Sequence, residues 1–478
     1  MNPVSNIYNH PLIERYASDE MAEIFSPVEK IRTWRRLWIV LAESEKELGL
    51  DISEKQIGQM RTACDDIDLE RAAEIERETR HDVMAHIRAF GEKCPDAKPI
   101  IHLGATSCFV GDNTDVILMK RGLVCIRNGL IAVIRALSRF CLEHADLPAL
   151  GFTHYQPAQT VTVGKRACLW LQDCAMDINE VVRTIECLKL RGVKGTTGTQ
   201  ASFMRLFNGD SEKVKKLDRL VTEKMGFNKS FPVTGQTYTR KVDFMILSVL
   251  SGIAQTASKI ANDIRLLSNL RELSEPFGSK QVGSSAMAYK KNPMRCERIS
   301  SIARYVIINA LNPAVTASQQ WMERTLDDSA NRRMAIPESF MGTDAVLKIG
   351  LNVISGLQVH PAVIKRNLER ELPFMATENI LMEAVKQGGD RQELHERIRE
   401  LAVEAAERIR EGEENRLTDR IKDDPLFEKI SDRIDDIIDP VKFTGRCGEQ
   451  VREYIESEVD PLLDTYRDIS IENSDLKV

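Results

Sequence analysis

The sequence predicts an all-α fold: three helical domains organised round a central bundle of long helices. Three observations predict it. Apolar residues recur at three-and-four spacing through long segments, the period of one helix face. Serine, asparagine and proline stand where helices would start, and glycine where they would stop. No segment shows the sustained alternation of a half-buried strand.

The first domain, 1–106, is irregular up to Ser26-Pro27-Val28-Glu29, which reads as a capping box with proline at the first helical position. Ile31, Trp34, Trp38, Leu41, Glu45 and Leu48 then share one face, and Gly49 ends the helix. Ser53 to Gln56 opens a second helix in the same way. A charged third segment leads to Thr79-Arg80-His81-Asp82 and a helix ending near Gly91, before Pro95 and Pro99 break the chain. The central domain, 107–359, is expected to hold helices over 113–144, 158–190, 238–273, 293–311 and 337–359. The first would be roughly 45 Å long at 1.5 Å per residue. Helices of that length bury their apolar stripes lengthwise against one another. Gly252, Ala254, Ala257 and Ala261 widen the stripe of the third, which implies contact on more than one side and a homo-oligomer. Polar, glycine-bearing connections at 147–157, 191–203 and 227–239 are where a bundle would carry a site. A C-terminal domain of shorter helices, 360–478, follows, with 393–416 as a solvated face.

With 42% hydrophobic and 29% charged residues, the 478-residue chain has the balance of a soluble globular protein. A net charge of −6 argues against a nucleic-acid partner, which would call for a basic face. Against that background Arg332-Arg333 stands out and suits a small anionic ligand. The ten cysteines form no C-x-x-C pair or cysteine–histidine cluster. Cys125, Cys141 and Cys168 lie in apolar helical runs, as buried free thiols of a reducing compartment would, so a cytoplasmic location is expected. Neither a secretory signal nor a run of roughly 18–20 uninterrupted apolar residues is read, so no membrane partner is expected. With no H-E-x-x-H, no calcium loop and no Lys-Ser/Thr pair after Gly192, Gly195 and Gly198, neither a metal nor a cofactor is expected.

Chemistry concentrates on Gln281 to Arg298, Q-V-G-S-S-A-M-A-Y-K-K-N-P-M-R-C-E-R. Gly283, Ser284, Ser285 and Ala286 read as a mobile loop, and Asn292-Pro293 as the N-cap and first turn of a helix. Lys290, Lys291, Arg295 and Arg298 crowd that helix start, where unpaired N–H groups already favour an anion. On the residues alone this is either a serine-rich surface loop or an anion site. Among the eight histidines, His10, His144, His360 and His395 read as structural or surface groups, and His102 as a hydrogen-bonded core residue. His81 and His86, five apart, are poorly spaced for a helical metal pair. His154, between Thr153 and Tyr155, is either a turn residue or a proton-transfer group. Histidine, serine, lysine, arginine and loop amides are the tools for taking a proton beside a carboxylate and holding the resulting dianion.

The Gly283–Asn292 loop resembles the G-S-x-x-M-P-x-K-x-N loop of the fumarase/aspartase superfamily of β-elimination lyases, which release fumarate. The chain is still more similar to the adenylosuccinate lyase family, its animal form in particular. The resemblance runs through T-R-H-D-V-M-A-H at 79–86, H-L-G-A-T-S at 102–107, F-T-H-Y-Q-P-A-Q at 152–159 and R-G-V-K-G-T-T-G-T-Q-A-S-F at 191–203. It continues in T-G-Q-T-Y-T-R-K-V-D at 234–243, E-R-T-L-D-D-S-A-N-R-R at 323–333 and E-L-P-F-M-A-T-E-N-I at 371–380. Ala288 departs from it, standing where the superfamily loop has proline, which implies a more flexible open loop.

The resemblance implies elimination of fumarate from adenylosuccinate, giving AMP, and from the succinylated aminoimidazole carboxamide ribotide, in purine synthesis. A sister lyase acting on argininosuccinate, or a non-catalytic lyase scaffold, are the rival readings. The basic 323–333 segment with Arg15-Tyr16 favours a phosphorylated substrate over the first, and intact Ser284, His154, His81 and Lys290 argue against the second. It further implies Ser284 as the base, His154 as the acid, and Lys290 with the helix start at Pro293 as support for the carbanion. His81, Thr106, Ser107 and Thr153 would hold the succinyl carboxylates, with Arg80 and Asp82 beside His81. Gln236, Asn292 and Arg298 would orient the substrate, and Arg15, Tyr16, Arg324, Ser329 and Arg333 would meet its nucleotide part. The family resemblance also implies a homotetramer with a helical core and active sites shared between subunits.

Overall fold

A computed structural model of the chain describes residues 8–278, 281–287 and 289–469; Ala288 lies outside the described residues. The fold is all-α, with 68% of it helical. Five long helices, Ser107–Glu143, Val163–Cys187, Lys241–Asn269, Met294–Asn309 and Asp328–Ser355, form the centre. Their apolar faces meet in one core that includes Leu130, Leu171, Leu250, Ala303 and Phe340. Lys241–Asn269 is long and apolar enough by composition to cross a bilayer, but Ile246, Leu250, Ile253 and Ile260 on it are buried in this core. Gly164 lets the first two helices touch, since a Cβ there would collide with the Cys141 carbonyl oxygen.

Helix boundaries differ from the expected ones where polar residues take tertiary partners. The first long helix starts at Ser107 rather than 113, because the polar Asp112 and Asn113 face inward within it. Asp112 accepts from the Tyr238 amide at 2.9 Å, and Asn113 donates to the Phe109 carbonyl at 2.8 Å and accepts from the Gly192 amide at 2.9 Å. The last long helix starts at Asp328, nine residues before Pro337, which sits inside it. Asp328 and Arg332 are buried there in ion pairs that hold the extra turns.

Among the described residues, two short antiparallel ladders, which the alternation had not revealed, interrupt the helices. Pro148–Thr153 pairs with Gln156–Thr162, and Leu273–Ser274 with Gln358–Val359. The first displaces the start of the second long helix from 158 to Val163. Its apolar alternation is masked by Gly151 and Pro157, and the second ladder is too short to show any period.

Two N-terminal helices, Pro27–Glu47 and Glu54–Thr62, start as read, but Leu12–Tyr16 and Asp19–Ile24 are helical where an irregular segment was expected, the second capped by the Ser18 side chain on the Met21 amide. The Ser26 side chain accepts from the Glu29 amide, and Ser53 with Gln56 forms both halves of a capping box. Trp38, Phe90 and Phe109 form a second core, completed by Phe203, Leu217 and Val221 from further along the chain. Leu12, Met21 and Ile24 join the central core instead, as do Val451 and Val459. A third core, with Ile380, Leu401 and Phe427, lies in the C-terminal helices.

Glu45 follows the apolar stripe into the N-terminal interior, where it is fully buried and neither carboxyl oxygen has a partner. Burial pushes its pKa from 4.5 up to about 9. The raised value means the stability present below the unfolded pKa is lost as pH rises toward 9. Glu45→Gln should flatten that decline and stabilise the fold by about 3 kcal/mol at pH 7. Melting temperatures that fall in parallel for parent and variant between pH 5 and 9 would exclude this.

Candidate active site

One polar cluster forms at the start of the first long helix. Arg80 ends the preceding helix in the left-handed conformation, φ 53°, and turns the chain so that His81 becomes the N-cap of Asp82–Lys93. The His81 Nδ1 accepts from the Met84 amide at 3.3 Å, so the ring proton belongs on Nε2, which faces the Ser107 hydroxyl at 3.5 Å. The Asp82 carboxylate lies 3.3 Å from the Arg333 guanidinium. Thr106 accepts from the Gln236 side chain at 3.4 Å, and the Gln236 amide donates to the Glu323 carbonyl at 2.9 Å. Arg324 and Ser329 follow on that same segment, which leads into the last long helix. Imidazole N–H, hydroxyl, amide and guanidinium donors thus converge, as binding an anion demands. Arg15 and Tyr16 run alongside the same helix. Their segment is tied to it by His10 near Glu338 at 3.4 Å and by the Ser18 amide on Asp344 at 2.6 Å.

His154 and Tyr155 are the two loop residues of the Pro148–Thr162 hairpin, with φ of 52° and 56°. Both central residues of such a tight turn need positive φ, a conformation that glycine or asparagine adopts with less strain. The turn therefore holds an exposed imidazole at its tip under strain, which is where functional groups concentrate. Thr153 is the last strand residue before it.

The third cluster is the 281–298 loop. The Ser284 Oγ accepts from two backbone amides, Ala286 at 3.3 Å and Met287 at 3.1 Å. Lys290 is exposed, and its amide closes a turn on the Met287 carbonyl at 3.0 Å. Asn292 does not cap the helix as expected. Its side chain donates to the Gly283 carbonyl at 2.9 Å, and the helix begins at Met294 behind Pro293. The unpaired N–H groups of that helix start are also not free for a ligand. Glu275 takes those of Arg295 and Cys296, at 3.1 and 2.7 Å. Arg298 is half-buried and lines a surface pocket with Gln281, Met294 and Arg295.

One chain does not bring the His81 cluster together with the other two. His81, Thr106 and Ser107 stand at the start of a 37-residue helix. The hairpin hangs from its far end, roughly 55 Å away at 1.5 Å per residue, where the Gly164 amide bonds to the His144 carbonyl at 2.8 Å. The root of the 281–298 loop is at that far end too: Arg166 donates to the Leu150 carbonyl of the hairpin and lies 3.8 Å from Glu272.

The comparisons with known proteins agree with one another. A family model described as "Lyase" matches residues 14–308, and one described as "Adenylosuccinate lyase C-terminus" matches 373–454. A Schizosaccharomyces pombe protein named adenylosuccinate lyase is 51% identical, covering 98% of this chain and 99% of its own. One of the same name from Schistosoma mansoni is 47% identical, over 98% and 99%. The chain belongs to the adenylosuccinate lyase family. A solved 3-carboxy-cis,cis-muconate lactonizing enzyme from Pseudomonas putida shares the fold, with a TM-score of 0.83 at 22% identity over 94% of this chain and 99% of that one.

For this member of the adenylosuccinate lyase family, the structure sorts the basic residues by access. Arg332 and Arg333 are adjacent in sequence and serve opposite purposes. Arg333 is exposed beside Asp82, while Arg332 is buried on Asp243 at 2.7 Å, Asp115 at 2.9 Å and the Tyr238 hydroxyl at 2.6 Å. Arg332 is thus withdrawn from any ligand. Arg240, buried beside it, holds Asp112 at 3.1 Å and Asp328 at 2.7 Å, and Asp328 lies 3.6 Å from Arg324. This buried layer carries the polar cluster above it. Glu275 gave no signal in the sequence, since the amides it caps are twenty residues further on.

Proposed function

We propose that this lyase eliminates fumarate from adenylosuccinate, giving AMP, and from the succinylated aminoimidazole carboxamide ribotide, giving its carboxamide. The observation that carries the assignment of the base is the Ser284 Oγ, which accepts two amide hydrogens. A serine hydroxyl is a poor base in water, and amide donors together with the Lys290 charge lower the energy of its alkoxide. Ser284 would take the proton from the succinyl carbon. The electron pair moves into the adjacent carboxyl group as an aci-carboxylate dianion, which Lys290 stabilises. Collapse breaks the C–N bond, and His154 protonates the departing nitrogen. His81, Thr106, Ser107 and Thr153 would hold the succinyl carboxylates, with Arg80, Asp82, Gln236, Asn292 and Arg298 orienting the substrate. Arg15, Tyr16, Arg324, Ser329 and Arg333 would receive the nucleotide phosphate, for which guanidinium and hydroxyl donors are suited. The buried free thiols, such as Cys94 and Cys141, support a cytoplasmic setting.

The working form is a homotetramer in which each site draws on different chains. The separation of roughly 55 Å between the two ends of the Ser107–Glu143 helix supports this reading. Exposed apolar residues support it as well, among them Ile308, Leu311 and Val315 on neighbouring helices. The test is to supply adenylosuccinate and argininosuccinate separately and follow fumarate. Release from adenylosuccinate alone is expected, and release from argininosuccinate or from neither would overturn the assignment. Co-refolding inactive His81→Ala with inactive Ser284→Ala should restore about a quarter of parental activity by random assortment of subunits. No recovery after verified subunit exchange would rule out a shared site.

A further inference from the structure

We propose that Glu275 is a positioning residue, a clamp that joins the two roots of the Ser284 loop and sets where Ser284 and Lys290 stand. The inference rests on the reading of Ser284 as the base. The Met294–Asn309 helix opens behind Pro293, whose side chain offers no acceptor for the unpaired N–H groups of the first turn. Glu275 supplies both oxygens from twenty residues upstream, one to the Arg295 amide at 3.1 Å and one to the Cys296 amide at 2.7 Å. The Arg295 guanidinium returns the connection by donating to the Pro276 carbonyl. Three hydrogen bonds therefore join 275–276 to 295–296 on either side of the loop.

The clamp is fixed at both sides. Upstream, Leu273–Ser274 is paired with Gln358–Val359, and the Ser274 hydroxyl meets His360 Nε2 at 2.9 Å. Downstream lies a helix whose Cys296, Ile299 and Ala303 are buried in the central core. Glu275 itself is 8% exposed, so its bonds to the amides are shielded from water. Its charge also suits the positive end of the helix. Inside the loop, the Asn292 side chain donates to the Gly283 carbonyl, and a Cβ on Gly283 would collide with the Lys290 carbonyl oxygen. The position of the helix start is thereby passed to the residue next to Ser284. Because a protein carboxylate already occupies the helix start, stabilisation of the carbanion falls to Lys290 and the loop amides.

Glu275→Gln keeps the shape of the side chain but loses its charge and turns one acceptor into a donor facing an N–H. A misplaced base lowers turnover more than binding, so kcat should fall about 10- to 100-fold with KM within about threefold, since the His81 cluster is untouched. Amide hydrogen exchange at Arg295 and Cys296 should quicken in the same variant. Parental kcat, parental exchange at these two amides, or a change in KM alone would each overturn the clamp. Glu275→Asp, too short to reach both amides, should fall between parent and Gln variant; full activity in it counts equally against the clamp. If Ser284→Ala keeps its activity, the assignment of the base fails instead, and the clamp then stands or falls on the exchange rates.

Discussion

Replacing Ser284 with alanine is expected to lower kcat by about 10²- to 10⁴-fold, the usual contribution of a positioned general base. The hydroxyl is the only group on that side chain, and its two amide donors are of no use to a methyl group. KM should change little, because the donors at His81, Thr106 and Ser107 stand in a separate part of the chain. Ser285→Ala is the control: that neighbour is exposed, and its loss should leave turnover within a few-fold of the parent. Steady-state fumarate release on both variants, with folding checked by circular dichroism, decides the matter. Equal losses at the two serines would remove Ser284 from its assigned role.

Arg332→Met is expected to destabilise the protein by about 3–5 kcal/mol, because it leaves buried carboxylates without their partner. Burial opposes the Arg332 charge, but Asp243, Tyr238 and Asp115 outweigh it and raise its pKa well above the ordinary value. The methionine would fill the space and leave Asp243, which is fully buried, with the Tyr238 hydroxyl as its remaining close donor. Arg333→Met, one residue on, should cost less than about 0.5 kcal/mol as a surface change and instead weaken substrate binding. Urea or thermal unfolding of the two variants side by side gives the comparison. Similar stability losses would mean that the buried layer is not held by Arg332.

These contrasts show how far the sequence could be read. Apolar period and cap chemistry act over a few residues, so the long helices, the Ser26 and Ser53 caps and the stripe carrying Glu45 were all legible. The loop holding Ser284 and Lys290 was legible as well, since glycine and serine mark flexible backbone and the motif order marks the family. Other features depend on partners distant in sequence. Asp112 and Asn113 have the side chains of helix caps, and only Tyr238, Arg240 and Gly192 make them interior residues. Pro337 looked like a helix start until the Asp328 and Arg332 ion pairs carried the helix past it. Nothing local separates Arg332 from Arg333, because the direction each faces is decided by the helix packed against it.

The sequence by itself determined the helical class, the family and the set of chemical groups available. The tertiary structure decided which of those groups face water and which are spent on the interior. It also decided that His81 stands at the opposite end of the bundle from the hairpin carrying His154 and from the root of the Ser284 loop. The reason is physical: period and propensity are short-ranged, whereas a buried charge takes its partner from whatever element the fold lays against it.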